Sequence, residues 1–469
     1  MALVLVDLTP RPPSRRGKGE NDRFCMKIIR LDTPSLAGKG PGLGKTNGQS
    51  VRKIYIQRRI IVKITKFMPV LLGIALLTAT SGVMAQKAAS LELPRAVAAA
   101  SNDFGFRLMG ELGNFEMDNV FYSPASISMA LGMVYNGAVG TTKDGMSKTL
   151  GIEKLKLEDF NTGNAAIMKL METGDPKVTS NIANGIWVQN DFPLLPDFIA
   201  RNEESYQAEV TNMDLTTPEA AEPINNWIAK KTNDKITDLL TPADFNADTR
   251  MILANAVYFK GKWTIPFEKN LTRNGDFTLA NGKTKKLPLM SRHDHFAYLE
   301  NEQLQAIRLP YGQGRMMMTV ILPRTEVKTA DFAKMLTITN WNAWQQQFTR
   351  QMGTLELPKM KLDYTVGLND TLSTLGMADA FAADKADLSG MTGKKDLFIT
   401  LVRHKATLEV NEESTEATGA TVIGISTTSV MLDPMPEFVM TVDHPFFVTI
   451  NDSQTGAILF MGQINDPQP

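Results

Sequence analysis

Three features of the sequence could in principle perform chemistry, but none has the complete spacing of a working site. Gly38 to Thr46 (GKGPGLGKT) resembles a phosphate-binding loop, yet Lys39 stands where such a loop needs its first glycine and no strand pattern precedes it. We interpret this match as chance. His293-Asp294-His295 could supply metal ligands, but no third ligand follows at a recognisable spacing. A polar turn explains the tripeptide as well, so we expect neither a metal site nor a cofactor.

The third feature is the small set of groups that could serve nucleophilic catalysis. A catalytic serine or cysteine needs a histidine base, and the chain has four histidines and a single cysteine, Cys25. No G-x-S-x-G sequence is present to form a nucleophile elbow. We therefore predict no catalytic residue and no enzymatic activity.

The first 85 residues differ in composition from the rest. Residues 1–50 lack hydrophobic periodicity, and we interpret them as a leader that is disordered or results from a start codon assigned too far upstream. Residues 51–85 have the order of a secretory signal peptide, with basic residues, an apolar run from Met68 to Leu77, and small residues ending at Ala85. The apolar run is too short to span a membrane. We predict a mature start at Gln86 and a secreted or periplasmic protein exported by a Sec-type route.

The leader also conceals the charge of the remaining chain. Residues 1–85 hold 15 of the 50 Lys and Arg residues but only 4 of the 50 Asp and Glu residues, so the remainder has a net charge of −11. Such an acidic chain is a poor candidate for binding nucleic acid, whose phosphates are held by clustered cations. Because Cys25 lies in the leader, the mature protein is expected to have no disulfide bond.

The pattern of apolar residues predicts helices early in the mature chain and strands later. An amphipathic helix is predicted from Leu91 to Asn114, and a second one begins at Ser123-Pro124, where serine supplies a cap and proline fits the first turn, and continues through Met133. Runs rich in β-branched and aromatic residues predict strands at Met316 to Leu322, Thr354 to Leu357, Leu397 to Val402, Ala406 to Val410, Phe446 to Ile450 and Ile458 to Met461. This arrangement favours an α+β fold.

Six motifs then follow one another along residues 86–469. They are Asn119 to Ile127 (NVFYSPASI), Asn184 to Val188 (NGIWV), Leu253 to Trp263 (LANAVYFKGKW), Leu309 to Tyr311 (LPY), His404 to Ala406 (HKA), and Asp443 to Phe447 (DHPFF) with Phe460 to Gly462 (FMG). Their order resembles the serpin family, in its bacterial and inhibitory form. The resemblance implies one domain over residues 86–469, with three β-sheets, about eight or nine helices and an exposed reactive-centre loop at about residues 412–442. It also implies a monomer without a cofactor.

The resemblance assigns roles to residues beneath the sheet. Ser123, Ser126, Asn255 and His404 would form a buried polar cluster, called the shutter in this family, that controls how strands part. Trp263 would lie at the breach, the top of the sheet where the loop first enters. The plainer interpretation is that these are core residues whose polar groups are merely satisfied. The two interpretations converge, because a buried hydrogen-bond network also fixes one sheet arrangement.

A further segment resembles the hinge of inhibitory serpins. It comprises Glu412, Glu413, Ser414, Thr415, Glu416, Ala417, Thr418, Gly419 and Ala420. Read as a strand, one face carries small or aliphatic residues at alternate positions from Thr415 to Ile425, and Glu416 points to the opposite face. A surface loop of small polar residues is the alternative, but such loops rarely keep this alternation. Ser414 stands where the family usually has glycine, which would slow the hinge if that backbone needs positive φ.

The resemblance implies irreversible inhibition of serine endopeptidases, with cysteine endopeptidases as a second target class, by cleavage and insertion of the loop. In the family the cleaved bond follows the residue sixteen positions after the first hinge glutamate, which places it at Thr428-Ser429, with Val430 and Met431 as alternatives. No Lys or Arg occurs between Glu416 and Pro445, so elastase-like, subtilisin-like or chymotrypsin-like targets are favoured over trypsin-like ones. A non-inhibitory serpin acting as a carrier, chaperone or structural protein is the alternative.

Overall fold

The computed structural model describes residues 91–112, 118–412 and 436–469. The predicted leader and signal peptide lie outside the described residues. So do the predicted hinge after Glu412 and the predicted cleavage positions Thr428, Ser429, Val430 and Met431. Within the described ranges, no helix is both long enough and apolar enough to cross a membrane.

Eight helices of seven or more residues occur among the described residues. They are α1 (Glu92–Leu112), α2 (Pro124–Tyr135), α3 (Gly140–Leu150), α4 (Leu157–Thr173), α5 (Pro196–Tyr206), α6 (Ala221–Lys231), α7 (Thr329–Met335) and α8 (Ile338–Gln345). Three helices of four residues follow, at α9 (Asn369–Leu372), α10 (Ala378–Phe381) and α11 (Ser389–Thr392). The eight longer helices of the described residues therefore agree with the predicted number of eight or nine.

Both helices predicted from local sequence are present. The first matches α1 to within two residues of its predicted ends. The second, α2, begins at Pro124 because the Ser123 hydroxyl accepts a hydrogen bond from the N–H of Ser126 at 3.0 Å, which satisfies one of the free donors at a helix start. Every residue of α2 is buried. This helix is therefore embedded in the core and can hold its first turn against the sheet.

Fourteen strands occur in the described residues. They are β1 (Val120–Tyr122), β2 (Val178–Gln189), β3 (Glu209–Met213), β4 (Met251–Gly261), β5 (Arg273–Thr278), β6 (Thr284–Glu300), β7 (Leu304–Pro310), β8 (Met316–Pro323), β9 (Thr349–Pro358), β10 (Met360–Gly367), β11 (Leu401–Val410), β12 (Phe438–Thr441), β13 (Phe446–Asp452) and β14 (Ile458–Ile464). The α+β class predicted from the sequence is confirmed.

The strands form two hydrogen-bonded sheets. One has five strands in the order β10-β11-β4-β2-β3, and the other has nine, in the order β1-β14-β13-β8-β7-β6-β9-β12 with β5 also paired to β6. The three sheets that were expected appear as two because β6 is 17 residues long and joins two regions. Its beginning pairs with β5, its middle with β9 and its end with β7.

The hydrophobic core has two parts, one on each face of the five-stranded sheet. The larger part contains residues of α1 to α5, the nine-stranded sheet and the inner face of the five-stranded sheet. The smaller part lies on the outer face, where Ile224 and Ile228 of α6 pack with Ile252 and Ala254 of β4. The five-stranded sheet is therefore packed on both faces.

Three predictions from the sequence are wrong in detail. Leu397 to Val402 and Ala406 to Val410 are not two strands, because a single strand, β11, runs from Leu401 to Val410. Before it, the N–H of Ile399 donates to the carbonyl oxygen of Ala380, outside the sheet. His293-Asp294-His295 is not a turn but lies within β6. The loop does not extend to residue 442, because β12 forms a parallel ladder with β9 in which Phe438 and Met440 are buried.

Candidate functional site

The pairing of β4 with β11 at the centre of the five-stranded sheet is the candidate site, and we call it the seam. The two strands are parallel, from Ile252 opposite Leu401 to Phe259 opposite Leu408. The next neighbours outward, β10 beside β11 and β2 beside β4, are antiparallel. We call the end of the seam at which both strands finish its upper end. There, β11 ends at Val410 and the chain continues towards the predicted hinge.

A row of three polar side chains crosses the middle of the seam. His404 on β11 lies opposite Asn255 on β4, which lies opposite Asn184 on β2. His404 Nδ1 is 2.5 Å from Asn255 Oδ1, and the Asn255 amide donates to Asn184 Oδ1 at 2.6 Å. All three residues are at most 3% exposed. The row therefore ties three strands together in a region without solvent.

The first turn of α2 completes this cluster from beneath the sheet. The backbone N–H of Ser123 donates to His404 Nε2 at 3.2 Å, and the Asn255 amide donates its second hydrogen to Ser126 Oγ at 2.7 Å. Ser123 and Ser126 are fully buried. The structure thus brings together all four residues that the resemblance assigned to the shutter, and it adds Asn184.

The contacts of His404 determine its protonation state. Because a backbone N–H points at Nε2, that nitrogen must accept, and the ring proton is on Nδ1, which donates to Asn255 Oδ1. Burial without a neighbouring negative charge lowers the pKa of His404 to about 3. The imidazole is therefore neutral near neutral pH, and every hydrogen-bonding group of Asn255 and His404 has a partner.

Trp263 lies at the upper end of the seam, where the resemblance placed it. Its indole N–H donates to the backbone oxygen of Asn411, the first residue after β11, at 2.9 Å. Its ring stacks on Tyr311 with centroids 4.3 Å apart and planes 11° from parallel. Trp263 is 3% exposed. The indole therefore fixes the direction in which the chain leaves β11.

Glu412, the first predicted hinge residue and the only one described, is anchored beside it. Its carboxylate forms a 2.9 Å ion pair with Lys359 and accepts a hydrogen bond from the Thr272 hydroxyl at 2.8 Å. Burial raises the pKa of Glu412, but hydrogen bonds from Lys359, its own backbone N–H and Thr272 outweigh that effect and lower it below its ordinary value. The start of the hinge is thereby held as a carboxylate at the upper end of the seam.

Sequence reasoning missed four partners of the predicted residues, namely Asn184, Asn411, Lys359 and Thr272. Asn184 carried a usable signal, because it begins one of the six motifs and is the one polar residue in the apolar run from Ile182 to Val188, where a buried amide needs a polar partner. The other three carried no such signal. Thr272 and Glu412, for example, are 140 residues apart.

The histidine pair of β6 belongs to a different part of the surface. His293 Nδ1 contacts the Thr354 hydroxyl at 3.1 Å, and His295 Nδ1 contacts the sulfur of Met352 at 3.0 Å. Across the described residues, no three or more His, Cys, Asp and Glu side chains converge in a way that could hold a metal ion. These histidines therefore contribute strand-to-strand contacts on an exposed face.

The depressed pKa of His404 predicts that acid weakens the closed seam. An unfolded histidine has a pKa near 6.5, so between about pH 6.5 and 3 the unfolded chain binds a proton that the native state does not, and native stability falls as the pH falls. This one group should lower the free energy of unfolding by about 2 kcal/mol between pH 7 and pH 5. Urea titrations of the wild type and of His404→Gln measure it. The variant should lack this component of the pH dependence, and identical slopes in the two proteins would contradict the assignment.

Comparison with known proteins identifies the fold that carries this seam. A family model described as serpin (serine protease inhibitor) matches residues 99–467. Leukocyte elastase inhibitor of Bos taurus is 37% identical over 360 residues, which cover 74% of this chain and 93% of that protein, and neuroserpin of Gallus gallus is 33% identical over 363 residues, 75% and 87% of the two chains.

Solved structures agree with the sequence comparisons. An Arabidopsis serpin in a native stressed conformation aligns with a TM-score of 0.73 at 27% identity, over 80% of this chain and 98% of that one. Native protease nexin-1 with heparin aligns with a TM-score of 0.72 at 28% identity, over 80% and 100% of the chains. The family match spans almost the whole described fold, including every residue of the seam, and the chain belongs to the serpin family.

Proposed function

We propose that the protein is an irreversible suicide-substrate inhibitor of serine endopeptidases, with cysteine endopeptidases as a second target class, and that it works by inserting its cleaved reactive loop into the seam. The observation that carries this proposal is the parallel pairing of β4 and β11, with the predicted loop leaving from the upper end of β11. A segment that turned back there and ran down between the two strands would be antiparallel to both.

That topology provides a driving force. With a new strand in place, every pair from β10 to β2 would be antiparallel, and antiparallel pairing is slightly more stable per residue than parallel pairing. A strand of about ten residues would also add on the order of ten ladder hydrogen bonds, each worth about 1 kcal/mol net. The sum is on the order of 10 kcal/mol, comparable to the stability of a whole domain.

The sequence of the predicted insert suits the space available. The inner face of the seam is lined by apolar side chains, including Val257 and Phe259 on β4 and Ala406 and Leu408 on β11. The predicted inward face of residues 415–425 is small at its upper end and aliphatic at its lower end. The whole segment 415–425 has eleven residues, close to the ten residues of β11. An inserted strand could therefore cover apolar surface without burying a charge.

The chemistry would be supplied by the protease. Its nucleophilic oxygen, or sulfur in a cysteine protease, attacks the carbonyl carbon before the cleaved bond, the peptide C–N bond breaks, and the new amino group leaves with the C-terminal part of the loop. The protease remains attached through an acyl bond. Insertion then drags the protease along the sheet and distorts its active site before water can hydrolyse that bond, so that translocation outruns deacylation.

Targets are proposed from the loop sequence and from the relatives. The loop offers no Lys or Arg for a trypsin-like pocket, whereas Thr428 and Val430 suit the shallow pockets of elastase-like and subtilisin-like enzymes, and Met431 suits a chymotrypsin-like one. A relative at 37% identity is an elastase inhibitor by name. We propose a monomeric inhibitor of such an endopeptidase, with no enzymatic turnover of its own.

A non-inhibitory serpin acting as carrier, chaperone or structural protein is the alternative. A serpin of that kind is expected to have a bulky or charged residue at position 415 or 417, or a proline in the upper hinge. This sequence has Thr415 and Ala417 at those positions, and residues 412–420 contain no proline. Incubation with a panel of proteases followed by denaturing gels separates the two functions. Only an inhibitory serpin retains the protease in a complex that resists denaturant.

Thr415→Arg is predicted to convert the inhibitor into a substrate, because a guanidinium facing the apolar interior opposes the first step of insertion. The acyl bond would then be hydrolysed before insertion is complete. The number of inhibitor molecules consumed per protease molecule inactivated should rise severalfold. Glu416→Arg is the matched control, since it places the same cation on the opposite face, which already carries a charge, and should change this ratio little. Equal ratios for Thr415→Arg and the wild type would count against loop insertion.

The cleaved bond is predicted at Thr428-Ser429, about 50 Å of extended chain from Glu412, with Val430 and Met431 as the alternative positions before the cut. Mass spectrometry of the peptide released from the denaturant-resistant complex identifies it. A new N-terminus before Ile425 or beyond Leu432 would show that the spacing argument fails.

We further propose that the protein acts outside the cytoplasm, after removal of residues 1–85. N-terminal sequencing of the exported protein should find its first residue within a few positions of Gln86, because the basic, apolar and small-residue zones end at Ala85. Recovery of an exported form that begins before Ser81 would refute the proposal.

A further inference from the structure

The exposed face of β6 and β9 presents two imidazoles and a thioether that the insertion mechanism does not use. His293 and His295 are exposed and lie two residues apart on β6, so both project from the same face of the strand. On β9, Thr354 lies directly opposite His293 and Met352 lies directly opposite His295. Three candidate metal ligands, His293, His295 and Met352, therefore share one side of the ladder.

The contact between His295 and Met352 joins two atoms that suit copper. His295 Nδ1 is 3.0 Å from the sulfur of Met352. Thioether sulfur is a ligand for Cu(I), and imidazole nitrogen suits copper as well. Bonds of about 2.0 Å to nitrogen and 2.3 Å to sulfur would place the two atoms roughly 3.7 Å apart around a trigonal ion. Both side chains are exposed, and a small rotation of either would make this room.

His293 can supply the third ligand. Same-face neighbours on a strand are about 7 Å apart, which lets two imidazoles converge on one ion. His293 Nδ1 contacts the Thr354 hydroxyl at 3.1 Å. With the ring proton on Nδ1, that nitrogen donates to the hydroxyl oxygen and leaves Nε2 with a free lone pair. A metal-binding histidine is typically held in this way by its other ring nitrogen.

A carboxylate lies beside these ligands. Glu437 Oε2 is 3.9 Å from His293 Nε2, and the Glu437 side chain is 58% exposed. Glu437 immediately precedes β12, whose first residue, Phe438, lies opposite Gly353 of β9. A cation held by His293 would be attracted by this negative charge. Such an ion would therefore connect β6, β9 and the segment that leads into β12.

The set of ligands favours copper over zinc. Zinc in proteins is held by Cys, His, Asp and Glu side chains, and no three of these converge within the described ranges of the chain. The third ligand could not be found from spacing along the sequence, because Met352 is 57 residues from His295 and reaches it only across the ladder. A thioether completes the site for a soft ion.

We propose that His293, His295 and Met352 bind one Cu(I) ion on the exposed face of β6 and β9, with Glu437 as a neighbouring negative charge. The ion is bound without a change of oxidation state, so the step needs no electron donor or acceptor. The site belongs to the described surface and does not rest on the inhibitory function proposed above.

The experiment measures Cu(I) binding to the full chain without oxygen, in competition with the chromogenic chelator bicinchoninate. Every protein carries Cys25→Ser, because a thiol would bind Cu(I) by itself. Met352→Leu and His295→Gln should each weaken binding by at least about tenfold, the lower end of what the loss of even a supporting partner costs. Met335→Leu is the matched control, since it removes a partly exposed thioether from α7, and it should leave the affinity unchanged.

Glu437→Gln should have a smaller effect than loss of a ligand. It removes one exposed charge and should weaken binding by no more than about fivefold, the upper range for an exposed pair. Equal affinities of the reference protein and Met352→Leu would overturn the site. So would a reference protein that takes no Cu(I) from the chelator.

X-ray absorption at the copper edge locates the ion independently of its affinity. Protein loaded with one equivalent of Cu(I) should show a sulfur neighbour in Met335→Leu and none in Met352→Leu. A sulfur neighbour that persists in Met352→Leu would place the ion at another methionine and overturn the assignment.

Discussion

The parallel pairing of β4 with β11 is the constraint on which the rest of the structure depends. It places two strands side by side in an arrangement that a third, antiparallel strand would improve, and the chain that could supply this strand leaves from the upper end of β11. The proposed mechanism therefore requires the sheet to stay closed until the loop is cut. Elements from distant parts of the sequence meet at the seam, from α2 beneath its middle to Trp263 and Glu412 at its upper end.

The proposed mechanism requires a seam that is closed before the loop is cut and open afterwards, and the buried polar row suits this requirement. Asn255 and His404 have complete sets of hydrogen bonds, and a network of this kind costs more when half-broken than when intact or fully rearranged. Partial separation of the strands at this level would leave the neutral imidazole and the Asn255 amide without partners. The network therefore disfavours intermediate openings and restricts the sheet to a few discrete arrangements.

Much of the fold and of the seam could be predicted from the sequence. Contacts between residues far apart in the sequence could not. The start of α2 followed from Ser123 and Pro124, and four of the five members of the polar cluster followed from motifs of a recognised family, whereas Asn184 was missed. The start of β11 did not, because Leu397 and Ile399 are buried like strand residues, yet β11 begins only at Leu401 and the N–H of Ile399 donates to the carbonyl oxygen of Ala380. The partners of Glu412 could not be inferred at all. Such contacts join residues on different strands, and only the assembled fold brings them together.

We propose above all that the seam accepts the cleaved loop as a new strand. The most direct measurement is the thermal unfolding of the protein before and after a protease nicks the loop. On this account the nicked protein gains on the order of 10 kcal/mol, and its unfolding midpoint rises by on the order of 10 °C or more. An unfolding midpoint that stays the same or falls after cleavage would contradict the account, because a loop that is cut but does not enter the sheet adds no ladder hydrogen bonds and covers no apolar surface.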